Sequence, residues 1–171
     1  EAVRIKRILN EVDMSKDILV SIFVMHKEIM TLAPEINVNE NEAIEVVTPA
    51  TYYLKNGKHY IVYEEVVEGT SGVIKNRIKI NGDECVEIVK SGLSNSHMIF
   101  EKNKKNQTFY KTPYGQMLIG VNTRHLQVDF EEDKIAVQID YELDVNHEPM
   151  ADCKIRMNIV SKDSGKFSVL S

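Results

Sequence analysis

The residues able to do chemistry in this chain are five histidines, two cysteines, seven tyrosines and two short acidic clusters. His26, His59, His97, His125 and His147 never fall into HxH, HExxH or His–x–Cys spacing, so the sequence offers no metal site. Glu64-Glu65-Glu68 and Glu131-Glu132-Asp133 are the acidic clusters. Paired carboxylates divide acid and base roles when their surroundings split their pKa values. Neighbouring residues on a strand point to opposite faces, however, so Glu64 and Glu65 do not share a pocket. The second cluster reads as a turn, and both clusters read as solvated charge. Cys85 and Cys153 are far apart and form no CxxC motif, which leaves buried free thiols in a reducing cytoplasm as the expectation. GxSxG, a P-loop and a Ser-His-Asp arrangement are all missing, and Glu68-Gly69-Thr70-Ser71-Gly72 lacks the GKS/T ending of a phosphate loop. No catalytic set and no cofactor is implied. The tyrosines carry much of the aromatic bulk, because Trp is absent. A buried tyrosine hydroxyl seeks a partner, which a core polar group, a water or a ligand supplies.

These residues must be held by strands. From Ile135 to Val145 the positions Ile135, Val137, Ile139, Tyr141, Leu143 and Val145 are apolar or aromatic, and the residues between them are mostly polar. The pattern returns with Cys153, Ile155, Met157 and Ile159. Such alternation gives each strand one dry and one wet face, the mark of an antiparallel sheet solvated on one side. Asp17 to Met30 reads as a long strand with apolar residues on both faces. Asn56-Gly57 predicts a type I′ hairpin, with Leu54 facing His59, Tyr53 facing Tyr60 and Tyr52 facing Ile61. One face then carries Tyr52, Leu54, His59, Ile61 and Tyr63, and it is taken as the inner one because Lys55 and Lys58 lie on the other. Pro49 predicts an edge, a bulge or a bend. A hairpin is expected around the lysine-rich tip at Lys102, Lys104 and Lys105. The apolar phase changes between Val121 and Leu126, which predicts a bulge near 122–125. Residues 31–42 read as a polar, acidic loop, either disordered or a lid.

About eight to ten strands with short links and no intervening helix exclude parallel crossovers. The expected class is all-β, an antiparallel up-and-down β-barrel, since closing a long meander hides both of its edges. A two-sheet sandwich is the competing arrangement. The barrel is placed at residues 14–171 as a single domain. Residues 1–13 read as an amphipathic extension, a short helix or tail, with Ile5, Ile8, Leu9 and Val12 at helical spacing. The chain opens at Glu1 rather than Met, which suits a processed or trimmed form.

The tyrosine-flanked run Tyr52-Tyr53-Leu54-Lys55-Asn56-Gly57-Lys58-His59-Tyr60-Ile61-Val62-Tyr63-Glu64-Glu65 resembles the YwiB-like family of small bacterial proteins. Tyr110-Lys111-Thr112-Pro113-Tyr114-Gly115, with Thr123 downstream, and the strand start from Asp133 to Tyr141 are similar too. The resemblance covers roughly residues 16–160. It implies a calycin-type, lipocalin-like barrel and supplies no activity, because the family's function is not established.

Net charge is −5, which provides no basic surplus for a phosphate backbone. No apolar run approaches the roughly 18 residues of a membrane helix. Nucleic acid and membrane are therefore not expected as partners; a homodimer is a candidate assembly. Three functional readings stand. The first is a non-enzymatic binder of a small apolar or amphipathic molecule, with Tyr52, His59, Tyr63, Ile139 and Tyr141 as the lining. The second is a protein-interaction module with a filled core. The third is an enzyme whose catalytic set is illegible. Interior volume separates the first two, since a cavity of a few hundred Å3 suits a ligand and a packed lumen does not.

Overall fold

The computed structural model describes residues 16–28, 41–93, 95–112 and 114–162. Among them are ten strands and no helix: β1 (Lys16–Glu28), β2 (Asn41–Lys55), β3 (Lys58–Val66), β4 (Val73–Asn81), β5 (Cys85–Gly92), β6 (Ser96–Glu101), β7 (Lys105–Thr112), β8 (Gly115–Phe130), β9 (Lys134–Val145) and β10 (Glu148–Ser161). The expected extension at 1–13 lies outside the described residues. So does the acidic loop, except that Asn41 and Glu42 already belong to β2.

The strands form one antiparallel sheet in the order β6-β5-β4-β3-β2-β1-β10-β9-β8-β7. Chain neighbours are sheet neighbours except β6 and β7, and the first and last strands pair from Ile18↔Ser161 to Glu28↔Ala151. The sheet thus wraps into a nearly closed up-and-down barrel, not a sandwich. The two remaining edges, β6 and β7, meet at the lysine-rich tip. The paired hairpin expected there is corrected: β6 and β7 share a turn but no ladder. The turn spends its backbone groups elsewhere. Lys104 O accepts from Thr123 N of β8 at 3.1 Å, and Lys104 N donates to Glu101 O at 3.0 Å.

Local chemistry explains the register. Asn56 and Gly57 take φ of 52° and 74°, as a type I′ turn requires, and the pairs Leu54↔His59, Tyr53↔Tyr60 and Tyr52↔Ile61 follow from it. Asn146 and His147 do the same between β9 and β10, at 49° and 68°. The bulge in β8 falls between Thr123 and His125, so Thr123 and Leu126 both face inward. Pro49 lies within β2 opposite Leu19, where the ladder to β1 is unbroken. The hairpin register turns the backbone N–H groups of Lys55, Tyr53 and Thr51 toward β3, and Pro49 continues that series without an N–H. The β2–β3 ladder ends at Thr51↔Val62, and beyond it the two strands part.

The inner faces make the core. At the end carrying the β2–β3, β4–β5 and β8–β9 turns, Ile18, Ile80, Phe100, Ile135 and Ile159 are fully buried. Tyr52 and His59 close this end. The Tyr52 hydroxyl is hydrogen-bonded to His59 Nδ1 at 2.8 Å, and the imidazole packs at 4.8 Å on Phe130. On the outside, Tyr53 and Tyr60 stack in parallel at 4.9 Å. Another outer feature is Gly120. A Cβ there would come within 3.0 Å of Lys105 Cε and 3.2 Å of Asp144 Cβ. The bare backbone lets Lys105 lie across β8 to pair with the buried Asp144 carboxylate on β9.

Two stability outcomes are expected. Gly120→Ala should cost about 1–2 kcal/mol in urea unfolding, by forcing Lys105 off Asp144. In a Lys105→Ala background the same change should cost much less, and equal costs would refute the packing argument. Burial lowers the His59 pKa from its ordinary 6.5. Below that value the unfolded chain binds a proton that the folded chain resists. The stability contributed by His59 is thus complete above the unfolded pKa and is lost as pH falls toward the folded one. The stability advantage of wild type over His59→Gln should therefore shrink between about pH 7.5 and about pH 5.5. A difference that stays constant with pH would contradict this assignment.

Candidate functional site

The opposite end of the barrel is hollow. It holds a cavity of about 410 Å3, lined from the inner faces of β1 to β6, β9 and β10. Ile22 and Val24 come from β1, and Ile44 and Val46 from β2. Ile78, Ile88, Met98 and Ile155 complete the apolar wall. The polar contributions are the Tyr63 and Tyr141 side chains and one ion pair, Lys90 Nζ to Glu65 Oε1 at 3.3 Å.

Strand divergence makes this space. Where β2 leaves β3 after Thr51, the inner face is no longer knitted shut, and Ile44 is 56% exposed at the mouth. A groove of about 390 Å3 runs along the same split, past Pro49, Thr51, Val62 and Glu64. Tyr63 borders both groove and cavity, so it partitions the interior from the side opening.

The electrostatics favour neutral forms on the wall. Burial, assisted by Glu65, pushes the Tyr63 hydroxyl up to about 12. Burial also raises Tyr141, with a smaller push from the hydrogen-bonded Cys153 thiol, its cross-strand partner. Burial raises Cys153 itself, so it stays a protonated thiol and a poor nucleophile near neutral pH. Both cysteines are free. Among the described residues no three His, Cys, Asp or Glu side chains stand close enough to hold a metal ion.

One polar residue here is unusual. Asn76 on β4 sits in register between Tyr63 of β3 and Lys90 of β5, on the face that also carries Ile78 and Ile80. It is 0% exposed, and neither its Oδ1 nor its Nδ2 has a hydrogen-bond partner. Leaving a buried amide group unpaired costs about 1–3 kcal/mol.

The five residues expected to line a site share the inner face but occupy two depths. Tyr63 and Tyr141 are on the cavity wall. Tyr52 and His59 are at the closed end, and Ile139 is fully buried. His59 and Tyr63 are four residues apart on one strand, about 13 Å, which is why no single pocket gathers the set. The other histidines do not converge. His97 stands 3.5 Å from Glu87, while His125 and His147 are exposed. From the sequence, Glu65 reads as solvated charge, and Asn76 and Lys90 are not singled out. Their parity was the available signal: each lies two residues from an inward Tyr63, Ile78 or Ile88. Glu64 and Glu68 are exposed while Glu65 turns in, so one of the three carboxylates of that cluster lines the cavity rather than being solvated charge.

Comparison with known proteins agrees with the architecture. A crystal structure of the ywiB protein from Bacillus subtilis superposes with a TM-score of 0.70 at 21% identity, covering 90% of this chain and 97% of that one. The uncharacterized β-barrel protein YwiB of Bacillus subtilis (strain 168) is 30% identical over 107 residues, 63% of this chain and 73% of that protein. Residues 31–157 match the family described as a domain of unknown function, DUF1934. With well over half of its length matched, this chain belongs to the DUF1934 family.

Proposed function

We propose that this protein binds a small apolar or amphipathic molecule in the barrel cavity and performs no chemistry on it. The observation that carries this reading is the volume of about 410 Å3 behind a mostly aliphatic wall. Ligand sites have this size and this make-up, largely apolar with a few placed polar groups. The split between β2 and β3 supplies a way in. A calycin-like classification is consistent with an apolar lumen inside a closed meander. A cytoplasmic location accords with two free thiols, and among the described residues no helix is long and apolar enough to cross a membrane.

A second reading has its own observation. Ile44 and Val66, at 56% and 79% exposure, leave apolar surface at the open end that a protein partner would cover.

Native mass spectrometry of protein purified without denaturant tests both. An adduct of small-molecule mass is expected, lost in Ile88→Trp, where the indole fills the cavity while the fold is kept. A ligand-free protein that arrives instead as a homodimer or with a second polypeptide would favour the interaction reading. An adduct unaffected by Ile88→Trp would place the ligand elsewhere.

A further inference from the structure

On the basis of that reading, we infer that the ligand carries a neutral head with adjacent N–H and C=O groups, of the primary amide, lactam or urea kind, which pairs with the side-chain amide of Asn76.

The register sets Tyr63, Asn76 and Lys90 side by side on three adjacent strands; Tyr63 and Lys90 line the cavity, and Asn76 lies fully buried between them, behind the wall. Strands lie about 4.8 Å apart, so one small head group spans the row. The other inward positions of β4 are Ile74, Ile78 and Ile80. A fourth aliphatic residue would suit the same environment without burying two unpaired groups. Asn76 instead presents one donor and one acceptor, both unused and fully buried. An amide edge on the ligand satisfies both at once, through N–H to Oδ1 and C=O from Nδ2.

Charged heads do worse here. A carboxylate accepts from Nδ2 but leaves Oδ1 unpaired and faces the Glu65 carboxylate. An ammonium donates to Oδ1, leaves Nδ2 unpaired and faces Lys90. The Glu65–Lys90 pair lines the cavity beside Asn76, with about a third of each side chain exposed (32% and 36%), and access to the amide requires it to move. Exposed pairs of this kind contribute little, so the two side chains swing toward solvent at small cost when a head group enters. The apolar body then lies against Ile88, Met98 and Val24.

Calorimetric titration with octanamide, octanoate and octylammonium tests the inference. Wild type should bind octanamide at least about tenfold more tightly than either charged probe. Asn76→Leu should bind all three within about threefold of one another. It should also melt about 2–4 °C higher than wild type, since it removes a buried unpaired amide. Asn76→Met serves as a second apolar variant should the leucine fail to fold. Equal binding of the three probes by wild type would overturn the head-group inference and leave the cavity reading intact. Failure of every probe to bind would overturn both. A lower melting temperature in both apolar variants would show that Asn76 is partnered inside the protein, and the inference would fall.

Discussion

The ladder between β1 and β10 is the constraint on which the rest of the molecule depends. It joins the two ends of a ten-stranded meander through paired backbone groups from Ile18↔Ser161 to Glu28↔Ala151. Without it every strand would keep its alternation, but the dry faces would line an open sheet with two long unpaired edges. With it the dry faces converge on one interior. The remaining edges, β6 and β7, are then forced together at a tight turn, and the Lys104–Thr123 backbone bond ties that turn to β8.

Closure alone does not decide whether the interior is full. At one end Phe100, Phe130, Tyr52 and His59 bring bulky rings to the axis, and the Tyr52–His59 hydrogen bond satisfies the polar atoms buried with them. At the other end the inner face is aliphatic, and β2 turns away from β3 beyond Thr51. Side chains no longer reach across, and space is left. The missing N–H of Pro49 matters because it comes where the ladder would have continued. A single residue type thus helps convert a filled barrel into a half-hollow one.

The polar groups around the hollow are few, and each has a distinct standing. Tyr63 and Tyr141 are held as neutral phenols by burial. Glu65 and Lys90 neutralise one another at the mouth. Asn76 is the exception, since its amide is fully buried and unmatched.

Much of the architecture was legible from the amino acids alone, because it rests on local rules. Period-two patterning specified strands, Asn56-Gly57 fixed the pairing of Leu54 with His59, and the phase change after Val121 marked the bulge at Arg124. The inward set Tyr52, His59, Ile61 and Tyr63 also followed from parity and two lysines. What parity cannot supply is depth along the barrel axis. It put His59 and Tyr63 on one face, yet only the assembled barrel sets one against Phe130 and the other against the cavity. The unpaired seam between β6 and β7 and the isolation of Asn76 were decided the same way. Each depends on which strands face each other across the lumen, and that relation arises from long-range closure, to which no neighbourhood in the sequence refers.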